Sequence, residues 1–264
     1  MIIGFIGTGN MGGALAIAAS RCKENSLLLA NRHPEKAEAL RASIGGEVTD
    51  NGSIAEDAEY IFLGVKPQML EETVSGIRGT LQARETPFVI VSMAAGTAIE
   101  KVQELLGNRA PVIRIMPNTP VAVGEGMVLY ACSAEVSREM EKAFLHAMEH
   151  AGRFARIEER LIDAGSAVSG CGPAFAAMFI EAMADGGVAC GLPRAKACEF
   201  AAQMVLCTAR LMLETGTHPG AMKDAVCSPG GTTIQGVRTL EEAGFRGGVM
   251  DAVIAAYEKT LELK

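Results

Sequence analysis

The run Gly7-Thr8-Gly9-Asn10-Met11-Gly12 follows directly on the apolar stretch 2–6 and leads into a helix-forming, alanine-rich segment. This is GxGxxG in a strand–turn–helix setting. The first glycine permits a tight turn, the second lets backbone approach a pyrophosphate, and the third lets the helix pack on the strand. The free N–H groups that open such a helix form an anion site. The same six residues alone would pass for a glycine-rich turn. In this setting Gly7, Thr8, Gly9, Asn10 and Met11 read as the cradle of a dinucleotide.

The following residues keep to that plan. Strand-like runs at 2–6, 26–30, 60–65, 88–92, 111–115, 128–131 and 153–157 alternate with helical patterns at 12–21, 34–43, 67–77, 98–106 and 137–150. Alternation of this kind predicts an α/β, Rossmann-like domain over residues 1–160, with a mostly parallel sheet covered on both faces. From Leu161 on no segment reads as a strand. Helices are expected at 174–189, 194–214, 232–243 and 248–263, giving an all-α domain over 161–264. The first two are apolar almost all round, so they must be buried. About 100 residues leave little room to enclose both, so the helical domain is expected to dimerise.

Composition narrows the function. A net charge of −7 without a basic cluster argues against nucleic acid and anionic membranes. With no Trp, 3 Tyr and 9 Phe, a base-stacking platform is not expected. The longest uninterrupted apolar run in the C-terminal half is 174–180, against the ~20 residues that span a bilayer, so no membrane segment is expected. The 7 cysteines, an odd number without a CxxC pair, suit free thiols in a reducing, cytoplasmic setting, and no signal peptide is evident.

The second strand ends at Ala30-Asn31-Arg32, where an NAD site usually places Asp or Glu on the ribose hydroxyls. Here the carboxylate is missing and a guanidinium is present, able to pair with a 2′-phosphate. NADP(H) is therefore favoured over NAD(H), with Asn31 and Arg32 as its ribose-side contacts; a surface arginine after a strand is also ordinary. Ligands sit outside the carboxyl ends of parallel strands. That rule adds Val65, Lys66 and Pro67, then Ala94 and Ala95, then Met116, Pro117 and Asn118 as cofactor candidates.

A second anion site is readable at Ser228-Pro229-Gly230-Gly231-Thr232-Thr233, directly before a helix. Two glycines and three hydroxyls exceed what helix capping needs, although Ser228 or Thr232 could serve as a plain N-cap. The segment 166–174 opens another helix with small residues, for substrate contact or for close packing. No metal site is expected. His146 and His150 share a helix face, but position 147 is Ala and no third ligand is evident. No Ser–His–Asp or Cys–His constellation is readable, so the chemistry should be one that a cofactor carries alone.

With these motifs the chain resembles the pyrroline-5-carboxylate reductase family over nearly its whole length. The resemblance rests on 5–12, Val65-Lys66-Pro67, Met116-Pro117-Asn118-Thr119-Pro120, 168–174, 184–188 and, most specifically, 223–234. Cys171 and Cys227 stand where the family often has Ser or another small residue. The resemblance implies reduction of the cyclic imine 1-pyrroline-5-carboxylate to L-proline by NAD(P)H, the last step of proline synthesis. It also implies a Rossmann-like domain followed by a dimerisation domain, with dimers often assembled into decamers. The family's threonine at the imine nitrogen maps onto Thr233, and its carboxylate-binding loop onto Ser228, Gly230, Gly231 and Thr232. Two rivals remain. A β-hydroxyacid dehydrogenase would need a lysine in helix 174–189, which has none. A non-catalytic NADP-binding regulator would have no use for a second anion site.

Overall fold

The computed structural model describes residues 1–262. Its strands are β1 (Ile2–Ile6), β2 (Ser26–Ala30), β3 (Glu47–Val48), β4 (Tyr60–Leu63), β5 (Val89–Ser92), β6 (Val112–Met116), β7 (Gly126–Cys132) and β8 (Gly152–Arg156). Among the described residues they form one sheet, in the order β3-β2-β1-β4-β5-β6-β7-β8. β1 to β6 run parallel, β7 turns antiparallel to β6, and β8 runs parallel to β7. The reversal follows from the link 117–125 between β6 and β7, which is shorter than the dozen or more residues a parallel crossover needs.

Helices cover both faces. α1 (Asn10–Ser20), α2 (Pro34–Ile44) and α6 (Arg138–Ala147) pack on one; α3 (Asn51–Asp57), α4 (Pro67–Ala83), α5 (Ile99–Leu106) and α7 (Ile162–Ser169) pack on the other. The strands alternate accordingly. Tyr60 and Phe62 join the first core, and Ile61 and Leu63 the second, so β4 is buried at every position. Phe62 stacks on Phe5 with ring centroids 4.6 Å apart. α4 presents Leu70, Val74, Ile77 and Leu81 as one buried stripe, each worth roughly 1.5–3 kcal/mol of burial.

A buried ion pair, Arg114 with Asp163, lies inside this apolar frame. Arg114 on β6 is 4% exposed. Its Nη2 donates to Asp163 Oδ1 at 2.8 Å and its Nη1 to Glu159 Oε1 at 3.3 Å. Glu159 Oε1 also accepts from the backbone N–H of Ile99 at 2.7 Å. The cluster ties β6 to the starts of α5 and α7.

Packing divides the chain into two units. One is Met1–Gly170, joined by the end of the last helix from Tyr257; the other is Cys171–Ala256. The division lies beyond the expected boundary near residue 160 because Ile162 of α7 is buried in the sheet's second core.

The second unit holds α8 (Gly172–Ala189), α9 (Arg194–Thr215), α10 (Pro219–Ala225), α11 (Thr232–Glu242) and most of α12 (Phe245–Glu262). Among its described residues the buried hydrophobic side chains are Ala184, Ala197 and Ala201. Large apolar side chains such as Met178 (69%), Leu206 (54%), Leu213 (61%) and Met250 (60%) are exposed. The helical stretch Glu159–Ala189 contains an 18-residue window with a mean hydropathy of 1.4, long and apolar enough to cross a membrane by length and composition alone. Counting uninterrupted runs misses this, because Glu181 and Asp185 only punctuate a stretch that is apolar on average.

Candidate active site

The candidate nucleotide site of the first unit is built by three glycine backbones. Gly7 sits at φ +98°, a region that excludes most side chains, and its N–H donates to Ala30 O at 2.9 Å. A Cβ on Gly12 would lie 2.1 Å from the Gly7 carbonyl oxygen, and one on Gly64 would lie 2.4 Å from it. The turn after β1, the first turn of α1 and the end of β4 therefore touch backbone to backbone. Gly64 was not among the expected residues; its signal was a glycine closing a buried apolar strand.

Gly9 behaves differently. Among the described residues nothing lies within 4 Å of a Cβ built on it. It is the N-cap of α1, and no side chain caps the helix. The first N–H groups of α1 are thus left for a ligand, and no acidic residue in the first turn opposes an anion. This end of α1 lies beside the switch in strand order between β1 and β4, where doubly wound folds bind ligands.

Around it, Asn31 Nδ2 donates to the buried Thr8 hydroxyl at 3.0 Å, and His33 N–H donates to Asn31 Oδ1 at 3.0 Å. Asn31 therefore links the β2–α2 turn to the glycine loop. Arg32 is exposed beside it. A cavity of about 440 Å³ runs along α1, lined by Thr8, Gly9, Asn10, Lys36 and Ala122 among others.

Val65-Lys66-Pro67, Ala94-Ala95 and Met116-Pro117-Asn118 lie at or just beyond the carboxyl ends of β4, β5 and β6, neighbours in the sheet. Their exposure differs. Lys66 and Ala95 are exposed and Val65 and Met116 half-buried, whereas Ala94, Pro117 and Asn118 are buried. Both ends of the Asn118 amide are engaged: Nδ2 donates to Ser169 O at 3.0 Å, and Oδ1 accepts from Met127 N–H at 2.9 Å.

A larger cavity, about 920 Å³, lies elsewhere, between α5 and the segment after β8. None of the expected site residues lines it. Burial, the largest effect on Cys132 at its edge, pushes that thiol up to about 11, so it is no nucleophile at neutral pH. The uncapped helix starts lie away from this cavity's lining.

A second candidate anion site belongs to the second unit. Ser228-Pro229-Gly230-Gly231 form a turn closed by Gly231 N–H donating to Ser228 O at 3.0 Å, with Gly230 at φ +70°, the left-handed position of a type II turn. Gly231 is then the N-cap of α11, and among the described residues no side chain caps it. Neither Ser228 nor Thr232 spends its hydroxyl as a cap. Thr232 and Thr233 are exposed at the helix start beside its unpaired amides. Among the described residues no group of three or more His, Cys, Asp or Glu side chains could hold a metal.

A doubly wound sheet with an uncapped, glycine-packed α1, followed by a helical unit with its own uncapped helix start, defines an NAD(P)-dependent oxidoreductase. The family model for pyrroline-5-carboxylate reductase dimerisation matches residues 159–263, and that for coenzyme F420-dependent NADP oxidoreductase matches 2–96. Pyrroline-5-carboxylate reductase of Escherichia coli is 41% identical over 99% of this chain and 97% of its own. That of Methanosarcina acetivorans is 39% identical over the same shares. A solved Plasmodium falciparum pyrroline carboxylate reductase with NADP bound superposes with a TM-score of 0.87 at 29% identity, covering 98% of this chain and 97% of that one. This chain belongs to the pyrroline-5-carboxylate reductase family.

Proposed function

We propose that this protein reduces 1-pyrroline-5-carboxylate to L-proline with NAD(P)H. The observation that carries the reading is the α11 start. It offers backbone amides without a side-chain cap, beside two exposed threonine hydroxyls, in a chain whose other unit opens α1 the same way.

The glycine loop and the first N–H groups of α1 would hold the pyrophosphate, with Asn31 and Arg32 on the ribose side. When bound, the cofactor supplies hydride to the C=N carbon. The Ser228–Thr232 turn takes the substrate carboxylate on its amides. The Thr233 hydroxyl meets the imine nitrogen, donating to it while it is neutral and accepting from its N–H once it is protonated, and so holds the C=N bond in register. A protonated imine is already electrophilic, so orientation is what the chain must add.

The Arg32 guanidinium supports NADP(H) as the preferred cofactor, as does the NADP bound by the Plasmodium falciparum relative. The uncovered apolar faces of α8 and α9 support a dimer built by the second unit, in keeping with the dimerisation model. That surface, including the long apolar stretch, is then covered by a second copy rather than by lipid. Further assembly into decamers follows the family resemblance, and the odd number of cysteines supports a reducing, cytosolic setting.

The test is loss of nicotinamide absorbance on mixing the protein with pyrroline-5-carboxylate and NADPH, then NADH, with proline identified as product. Turnover untouched by exhaustive chelation is expected. Binding of NADPH without turnover would favour a regulator and overturn the reading.

A further inference from the structure

We infer that Asn118 is a positioning residue for the nicotinamide end of the site, acting through the strap between β6 and β7 rather than by touching the cofactor. The inference rests on the reductase reading above.

Its placement makes the argument. In a doubly wound sheet the two halves of a dinucleotide divide between the two halves of the sheet. The Arg32 side, at β2, takes the adenosine half, which leaves the ends of β4, β5 and β6 to the nicotinamide half. Met116 and Pro117 close β6, and Asn118 is the next residue, 8% exposed with its side chain turned inwards.

Three pieces of backbone meet on that one amide. Nδ2 donates to the carbonyl of Ser169 in the last turn of α7, Oδ1 accepts from the N–H of Met127, the second residue of β7, and the residue's own backbone follows directly on from β6. The residues between, 119–126, are thereby closed into a strap whose ends cannot separate. The strap's middle is fixed independently. Val121 is fully buried, and Arg21 Nη2, from the end of α1, donates to Ala122 O at 3.3 Å. Ala122 also lines the cavity beside Gly9 and Asn10. Loosening Asn118 therefore frees Pro117 and the strap that follows it, while Met116 keeps its pairing with Leu129 and the glycine loop and Arg32 keep their own supports. Misplacement of a reacting group by about 1 Å can cost up to a hundredfold in rate.

The experiment compares Asn118→Asp, which keeps the acceptor for Met127 N–H and loses the donor to Ser169 O, with Asn118→Leu, which loses both. Without cofactor, amide exchange across 119–127 is expected to speed up about tenfold in the leucine variant, with 10–20 unchanged. The Kd for NADPH and the NADPH:NADH preference should stay within about threefold of wild type. kcat per folded site should fall about tenfold, and the deuterium isotope effect on kcat from NADPH labelled at the transferred position should rise.

Unchanged exchange in the strap would overturn the inference. So would a lost Kd at constant kcat, which marks a cofactor ligand, or a drop in melting temperature with kcat and isotope effect unchanged, which marks a purely structural residue. If the leucine variant does not fold, the aspartate variant decides by the same kinetic readings. Failure of the reductase reading shows separately, as absent wild-type turnover.

Discussion

Gly12 has no room for a methyl group, because the carbonyl oxygen of Gly7 occupies the place: a Cβ there would stand 2.1 Å from it. Gly9, three residues earlier, faces open space among the described residues. The two glycines therefore fail differently. Gly12→Ala forces backbone apart and should lower stability by about 1–3 kcal/mol, the usual cost of overpacking. Gly9→Ala should leave the melting temperature of the cofactor-free protein unchanged and raise the Kd for NADPH at least about tenfold, since its methyl enters the phosphate space. Calorimetry and cofactor titration on both variants check this.

Arg32→Ala should weaken NADPH by about 1.5–3 kcal/mol, the range for a hydrogen bond to a charged group, and leave NADH nearly unchanged. Cofactor titrations read it directly. Equal losses for both nucleotides would remove Arg32 from the 2′-phosphate.

Thr233→Ala should lower kcat roughly tenfold to a hundredfold, below the strongest losses of a donor aimed at a reacting centre, because water can still protonate the imine. NADPH affinity should hold. Thr232→Ala keeps its backbone amide and should do less. Steady-state kinetics with both substrates varied separates the two. Full kcat in the Thr233 variant would return the loop to helix capping.

Asp163→Ala removes the closer partner of the buried Arg114 guanidinium and leaves it only Glu159, 3.3 Å away, so it should cost about 3 kcal/mol, the lower end for buried pairs broken on one side. Removing the charge as well, in Arg114→Met with Asp163→Leu, should recover most of it. Melting temperatures at fixed protein concentration give the comparison.

Sedimentation at micromolar concentration should show no stable, active monomer, because the second unit buries so little of its own apolar surface. The melting temperature should rise with protein concentration.

Much of this molecule was legible in its residues. Runs such as 2–6 and 60–63 announce buried strands by apolar content alone, and GxGxxG names its own backbone contacts. The features without a signal in apolar pattern are short, polar or directional. β3 is two residues at the sheet edge. α3 is capped by Asp50, whose carboxylate accepts from Ser53 N–H, a short polar signal without a long apolar period behind it. The direction of β7 is carried by the length of the link before it, not by any residue in the strand. At the carboxyl end of β6, the difference between half-buried Met116 and buried Asn118, whose amide is engaged on both sides, depends on packing partners from β7 and α7. No spacing along the chain reports those.

The alanine-only interior of Cys171–Ala256 also bears on how much enzyme a cell can keep. A copy fresh from the ribosome displays Met178, Leu206 and Met250 to every protease and chaperone until it finds a mate. Survival then depends on encounter, which scales with the square of the synthesis rate, while destruction of lone copies scales only with its first power. Halving expression should cost more than half of the accumulated protein, and pulse–chase half-lives should lengthen as expression rises.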